Sequence, residues 1–99
     1  MLIAKVVGSV VATQKDEKLT NAKLLVCQIH NHKNEAQNQY VIAVDSVGSG
    51  TGDIVLVAAG SSARQTEVTK DRPCDAVIMA IVDSWDMEGT DVFQKWSEG

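Results

Sequence analysis

The stretch "DSVGSGTGDIVLVAAGSSARQ", from Asp45 to Gln65, decides between two classes of fold. A loop that binds a dinucleotide or a phosphate has the spacing G-x-G-x-x-G or G-x-x-x-x-G-K-[ST] and opens a helix. Here Gly48, Gly50 and Gly52 stand at G-x-G-x-G, and the segment "DIVLVAA" that follows is short and β-branched, as in a strand. Alternating glycines suit positive φ angles or a close approach of the backbone to another surface. The stretch therefore predicts a tight turn first, a subunit contact second and a phosphate cradle last.

Short alternating or apolar runs on either side of this stretch predict further strands. In residues 2–13 the side chains alternate, so that one face of an extended segment is wholly small or apolar. The sequence predicts strands over Leu2–Thr13, Lys23–His30, Gln39–Asp45, Asp53–Ala59 and Ala76–Trp85, with an additional short strand at Val92–Trp96.

A single short helical turn is predicted from about Ala63. Ser62 and Gln65 stand at capping-box spacing, and Pro73 limits how far a helix can continue. Five strands, one helical turn and a short C-terminal tail predict an all-β fold, a small five-stranded OB-like β-barrel. At 99 residues we expect residues 1–99 to form a single domain.

The charge balance and the composition exclude several classes of partner. A formal net charge of -4 without a concentrated basic patch disfavours nucleic acid. The N-terminus lacks the pattern of a secretory signal, and no run approaches the roughly 20 apolar residues that cross a bilayer. Cys27 and Cys74 are therefore expected to be reduced thiols in the cytoplasm. We expect neither nucleic acid nor a membrane as a partner.

Apolar side chains on the outer faces of the predicted strands indicate an oligomer. Barrel closure buries one face of each strand, and no long helix is predicted to cover the other. Burying one Val or Ile stabilises a contact by roughly 1.5–3 kcal/mol, so a few such residues offset the cost of association, roughly 4–15 kcal/mol. We expect an obligate homo-oligomer, with outward apolar residues that include Ile3, Val7, Val11, Leu24 and Val26.

Residue types that carry metal or nucleophile chemistry do not converge in this sequence. On a regular strand Cys27 points away from His30, and His32 falls where a polar loop begins, so we expect no metal and no cofactor. Ser61 and Ser62 do not form the G-x-S-x-G motif, and the cap explains Ser62 without catalysis. Only Arg72 lies near enough in sequence to lower the pKa of Cys74, so this thiol is a weak candidate for a nucleophile. The sequence therefore predicts a protein that is not an enzyme.

The aromatic residues do not form a platform for stacking bases. Single-stranded nucleic acid binds where aromatic and basic side chains alternate, whereas most of the aromatic residues here lie among acidic ones. We expect them to pack the C-terminal tail onto the barrel. They are Tyr40, Trp85, Phe93 and Trp96.

Four segments together resemble the vertex-protein family of bacterial microcompartment shells, the EutN/CcmL family. The resemblance covers most of the chain in order, and its G-x-G-x-G-[DE] element followed by GSSAR is fairly specific. The matching segments are "KVVGSVVATQKDEKL" (Lys5–Leu19), "KLLVCQIHN" (Lys23–Asn31), "AVDSVGSGTGDIVLVAAGSSARQ" (Ala43–Gln65) and "DAVIMAIVD" (Asp75–Asp83).

The resemblance implies an OB-like barrel that assembles as a homopentamer, without catalysis or cofactor. Such pentamers close the vertices of a shell whose facets are hexameric shell proteins, inside the bacterial cytoplasm. The alternative is a free-standing OB-type binding module for a small ligand or nucleic acid, and a small enzyme comes third. The resemblance implies that the glycine loop and the turn after it contact neighbouring subunits, which makes interface candidates of Gly48, Gly50, Gly52, Asp53, Ser61, Ser62, Arg64 and Gln65.

Overall fold

Seven strands run through the part of the chain that the computed structural model describes, residues 1–12, 23–59 and 76–97. Among these residues, no helix is long and apolar enough to cross a membrane. A short 3-10 helix, Lys95–Ser97, follows the last strand. The strands are β1 (Leu2–Val10), β2 (Leu24–His30), β3 (Ala36–Asp45), β4 (Ile54–Ala59), β5 (Ala76–Ile81), β6 (Ser84–Met87) and β7 (Thr90–Gln94).

Five of these strands close into a barrel in the order β1-β2-β3-β5-β4, and β4 pairs back onto β1. All neighbours are antiparallel except β3 and β5, which are parallel, with Val44 opposite Val77. Closure removes the unpaired edges that an open sheet of this size would expose. The predicted five-stranded OB-like barrel is confirmed. The helical turn predicted from about Ala63 lies outside the described residues.

The barrel interior is filled by small and β-branched side chains from alternate positions of all five strands. Because of this alternation, Ala4 and Val6 on β1 are fully buried while Val7, the next residue along the strand, is exposed. A register shift between Val6 and Gly8 lets β1 bend around the barrel. The interior cluster comprises Ala4, Val6, Leu25, Cys27, Ile29, Ala43, Val55, Val57, Ala76 and Ile78.

A second apolar cluster lies on the opposite face of the same strands. Val44, Ala58 and Val77 are each at most 3% exposed, and Leu24 packs against them. Leu24 pairs with Val44, which pairs with Val77, so the cluster crosses neighbouring strands on one face. Leu24 was expected to need another subunit to cover it, but at this end of the barrel it packs within the protomer.

The end of β5 differs from the prediction of one strand over Ala76–Trp85. β5 ends at Ile81, the amide of Val82 donates to the carbonyl of Ile54 at 2.8 Å, and the chain then begins a new strand, β6. β6 and β7 form a separate two-stranded sheet with Trp85 opposite Phe93. The tail is therefore a hairpin.

Several strand boundaries also differ from the prediction. The last strand ends at Gln94, earlier than the predicted Trp96, because the chain tightens into the 3-10 helix. β3 begins at Ala36, three residues before the predicted Gln39, and β1 ends at Val10 instead of Thr13. Glu88 and Gly89, which connect β6 to β7, both have positive φ, 52° and 80°, as a two-residue hairpin turn requires.

Candidate subunit-contact loop and outer apolar face

The glycine loop between β3 and β4 is built around the carboxylate of Asp45. Its Oδ1 atom accepts hydrogen bonds from the hydroxyl of Ser49 at 2.8 Å and from the amides of Val47 and Ser49, both at 3.2 Å. Ser49 is fully buried, and the Asp45 side chain is only 3% exposed. This small buried network fixes the first half of the loop.

Lys23, just before β2, closes the same network from outside. Its Nζ atom donates to the carbonyl oxygen of Ser49 at 2.7 Å and lies 3.9 Å from Oδ2 of Asp45. Burial by itself raises the pKa of Asp45, but the hydrogen bonds from Ser49 and Val47, with the positive charge of Lys23, lower it below its usual range. Asp45 is therefore ionised in the folded protein at neutral pH.

The second half of the loop is fixed by Asp53 and by β1. Oδ2 of Asp53 accepts from the amide of Gly50 at 2.9 Å, and the amide of Asp53 donates to the carbonyl of Gly50 at 3.0 Å. The amide of Gly52 donates to the carbonyl of Val6 at 2.8 Å, and the amide of Val6 donates to the carbonyl of Asp53 at 2.9 Å. The loop is therefore attached to the barrel wall at both ends.

These hydrogen bonds argue against a phosphate cradle. A cradle presents several unpaired amides towards one point, whereas the amides of Val47, Ser49, Gly50, Gly52 and Asp53 all donate to oxygens of this chain. The prediction that the stretch is primarily a tight turn agrees with this geometry.

The three glycines of the loop differ in backbone conformation. Gly48 and Gly52 have φ of 79° and 98°, a region that other residues rarely adopt. Gly50 is not among the residues with positive φ, and a Cβ added to it would have no atom of the chain within 4 Å. The expectation that positive φ explains the glycines holds for two positions. At Gly50 the structure shows neither a positive φ nor a close contact within the protomer that would require a glycine.

An exposed apolar surface continues from the second cluster along β1, β2 and β3. We call it the outer apolar face and define it as Val7, Val26, Tyr40 and Ile42. Val26 pairs with Ile42, next to the Leu24 and Val44 pair of the second cluster. Ile42 is 55% exposed and Tyr40 is 56% exposed. The sequence identified Val7 and Val26, but not Tyr40 and Ile42 individually, because β3 is apolar on both faces.

The C-terminal hairpin packs against the turn between β2 and β3 through its aromatic residues. Nε1 of Trp85 donates to the carbonyl of His32 at 2.9 Å, and the Trp85 and Phe93 ring centroids lie 5.3 Å apart at 34°. Phe93 is 6% exposed, whereas Trp96 is 69% exposed. The prediction that aromatic residues pack the tail onto the barrel therefore holds for Trp85 and Phe93, and it is wrong for Trp96 and, on β3, for Tyr40.

The residues considered for a metal site are kept apart by the strand, as their spacing indicates. Cys27 is buried in the barrel interior, His30 bonds to Asn34 on the outside, and His32 is exposed. Within the described residues no three potential ligands form a group. Burial, together with the negative charge of Asp45, raises the pKa of the Cys27 thiol to about 11, so the thiolate that a metal or a nucleophilic attack requires is scarce at neutral pH.

The remaining candidate residues belong to the segment after β4. This segment lies outside the described residues, and the candidates in it are Ser61, Ser62, Arg64, Gln65 and Cys74. The residues that sequence reasoning missed are Asp45, Ser49 and Lys23. A signal for the first two exists, since an Asp four residues before a Ser in a glycine-rich turn often bonds to the turn's own amides.

Comparison with known proteins gives consistent matches over most of the chain. The sequence profile of the family described as "Ethanolamine utilisation protein EutN/carboxysome" matches residues 1–83. The carboxysome shell vertex protein CcmL of Synechococcus elongatus is 40% identical over 95 residues, which are 96% of this chain and 96% of that protein.

Solved structures agree with the sequence matches. CcmL of Gloeobacter violaceus superimposes with a TM-score of 0.92 at 34% identity, over 97% of this chain and 99% of the other. A protein of Rhodospirillum rubrum, described as the pentameric microcompartment shell protein GrpN, superimposes with a TM-score of 0.81 at 40% identity, over 88% and 99% of the two chains. The similarity therefore extends through the barrel and the hairpin.

Proposed function

The chain belongs to the EutN/CcmL family, and we propose that five copies of it form a ring that closes the corners of a microcompartment shell. It is a shell vertex protein and not an enzyme. The observation that carries this proposal is the similarity, over nearly the whole chain, to vertex proteins and to a pentameric shell protein. The site of action is the shell of a microcompartment inside the bacterial cytoplasm. The family favours this function over a free-standing OB-type binding module.

A ring of five has a simple geometric use. Hexagonal tiles alone make a flat sheet, and a closed polyhedron needs units with five-fold symmetry at its corners. We propose that residues 1–99 form one vertex-type domain and that the partners at its edge are hexameric shell proteins of the same compartment. Neither nucleic acid nor a membrane has a role in this assembly.

The ring needs two different surfaces on each protomer. In a cyclic assembly one patch meets a different patch on the next chain, and the rotation closes after a full turn. The outer apolar face supplies one patch, because Tyr40 and Ile42 are more than half exposed. The glycine loop supplies the other, because its internal hydrogen bonds make it rigid and Gly50 leaves room for a neighbouring backbone.

The turn after β4 extends the second patch in this proposal. Arg64 carries a permanent charge and a rigid fork of donors, which suits contacts to carbonyls or carboxylates of the next chain. Ser61, Ser62 and Gln65 are the neutral polar residues beside it. Their assignment rests on the family and on their place in the sequence.

The proposal is tested by assembling shells with and without this chain. The hexameric shell proteins encoded beside it would be produced alone and together with it, and the particles compared by electron microscopy. We expect closed polyhedra with the chain, and sheets, tubes or gapped shells without it. Closed polyhedra of equal frequency in both samples would contradict a role at the vertices.

A further inference from the structure

A pocket of about 290 Å³ opens where the barrel meets the C-terminal hairpin. Two buried apolar side chains, Ile54 on β4 and Phe93 on β7, line part of it. The volume is close to the lower end of small-molecule sites, roughly 300 Å³. The rest of the lining comes from β1, the β2–β3 turn, the glycine loop and the end of the tail, and consists of Lys5, His30, Asn34, Gly52 and Lys95.

The charged groups of the pocket are both positive. Lys5 is half-buried on β1, and Lys95 is exposed after β7. Within residues 1–12, 23–59 and 76–97 the one ion pair joins Lys23 to Asp45, away from this pocket. Two ammonium groups therefore share a partly apolar pocket without a carboxylate partner in the described residues. Two positively charged side chains that line one pocket attract an anion. The chain as a whole carries a net charge of -4, so this positive pocket differs in sign from the rest of the protein.

The imidazole of His30 is oriented by its surroundings. Its Nδ1 atom lies 2.8 Å from Oδ1 of Asn34, and because that oxygen can only accept, Nδ1 carries the proton. Asn34 has a φ of 63° and is held in the turn by Asn31, whose side-chain oxygen accepts from the amides of Lys33 and Glu35 at 2.9 Å. The ring is therefore oriented by its Nδ1 contact, and His30 lines the pocket.

The hairpin holds the other side of the pocket in place. The amide of Lys95 donates to the carbonyl of Asp83 at 2.8 Å, and Phe93 stacks on Trp85. The hydrogen bond from Trp85 to the carbonyl of His32 joins this side to the turn that orients His30. The lysines, the imidazole and the apolar wall thus belong to one connected framework.

We propose that this pocket binds a small organic anion, a carboxylate or a phosphate with a short apolar body. Lys5 and Lys95 bind the charged group, because an ammonium forms its strongest hydrogen bonds to such oxygens. Nε2 of His30 contacts a polar atom beside it. Ile54 and Phe93 contact the carbon body. The site lies on the protomer itself, so this inference goes beyond the structural role in the shell.

The experiment uses the two histidines of the chain as reporters, His30 in the pocket and His32 outside it. NMR spectra of the imidazole rings of the assembled protein would be followed during titration with acetate, butyrate and inorganic phosphate. We expect saturable shifts at His30 and none at His32. Butyrate should bind more tightly than acetate because its longer chain reaches the apolar wall. Tighter binding of phosphate than of butyrate would assign the phosphate class.

Lysine variants separate this pocket from general attraction of anions. Lys95→Gln, on the exposed tail, and Lys5→Gln should each weaken binding about tenfold through loss of one charged contact. Lys33→Gln removes an exposed lysine that does not line the pocket and should leave binding unchanged. The oligomeric mass of each sample would be measured as well, so that a failure of the ring is distinguished from a failure of the site.

Three results would overturn the proposal. The first is the absence of a saturable shift at His30, which is also the outcome if a neighbouring subunit fills the pocket. The second is equal weakening by Lys33→Gln and Lys95→Gln, which would indicate diffuse charge attraction. The third is butyrate binding no more tightly than acetate, which would show that Ile54 and Phe93 do not contact the ligand.

Discussion

Replacement of Asp45 by Asn should weaken the hydrogen-bond network inside the glycine loop, while the shape of the side chain hardly changes. The carboxylate Oδ1 accepts one hydrogen bond of 2.8 Å and two of 3.2 Å, and Oδ2 faces the ammonium of Lys23 at 3.9 Å. Hydrogen bonds to a charged group contribute about 1.5–3 kcal/mol and neutral ones about 0.5–1.5 kcal/mol, so the loss is about 1 kcal/mol per bond. The two longer bonds count for less. We expect Asp45→Asn to lower the free energy of unfolding by about 2 kcal/mol.

The assay is urea unfolding followed by the fluorescence of Trp85 and Trp96. Because association adds to the apparent stability, wild type and variant must be compared at one protomer concentration. Asp86→Asn is the matched control, since Asp86 is exposed on the hairpin and its replacement should change stability by no more than about 0.5 kcal/mol. An Asp45→Asn effect as small as that of the control would refute the reasoning.

The pH dependence gives the same prediction an independent check. The pKa of Asp45 is lowered in the folded protein, so in that state the carboxyl keeps its charge below the usual value near 3.9. Its contribution to stability is therefore complete above that usual value and is lost as the pH falls through the lowered pKa. We expect the difference between wild type and Asp45→Asn to be full at neutral pH and to disappear in strong acid. A difference that is constant across this range would contradict the network.

Four further substitutions test the two proposed contact surfaces. Gly50→Val should barely change the stability of a protomer but should weaken the ring. Gly48→Val, at positive φ, should destabilise the protomer itself by about 1–3 kcal/mol. If the two variants lose protomer stability and ring affinity equally, Gly50 does not lie in the interface. Ile42→Lys, at a position 55% exposed, should leave the circular dichroism unchanged and weaken association at least about tenfold by light scattering, and a ring of unchanged affinity would exclude the outer apolar face. Arg64→Ala should weaken the oligomer with little change in the β-rich spectrum, and an unchanged mass across a dilution series would count against its role.

The barrel could be predicted from the sequence because its strands alternate. On β1 and β2 every second residue is small or apolar, and the structure buries Ala4 and Val6 of the set on β1 and Leu25, Cys27 and Ile29 on β2. On β3 and β4 both faces are apolar, so the sequence indicates strands but not which side faces the interior. In the structure, one face of β3 and β4 points to the interior and the other packs in the second cluster around Val44 and Val77. That cluster depends on which strands are neighbours, and the alternation of residues along one strand does not encode the order of the strands.

The separate hairpin was missed because the segment after β5 continues to look like a strand. No glycine or proline interrupts "AVIMAIVDSWD", and Asp83 and Ser84 are the segment's first turn-forming pair. The break depends on tertiary contacts, the hydrogen bond from Val82 to Ile54 and the one from Lys95 to Asp83. Contacts between residues this far apart in sequence override local propensity.

The contact loop could be located from the sequence but not explained by it. Three alternating glycines marked the loop, and the structure shows positive φ at two of them and open space at the third. The buried carboxylate of Asp45 was missed because an Asp at the end of a strand usually faces water. Its burial follows from Lys23, which precedes a different strand.

Native mass spectrometry of the untagged protein at micromolar protomer concentration tests the central claim most directly. Each chain has a mass of 10.6 kDa, and we predict a single dominant species of five chains that persists on moderate dilution. A monomer under these conditions would contradict the inference that the outer apolar face needs a partner. A ring of six would leave that inference in place but contradict the assignment of this protein to the vertices.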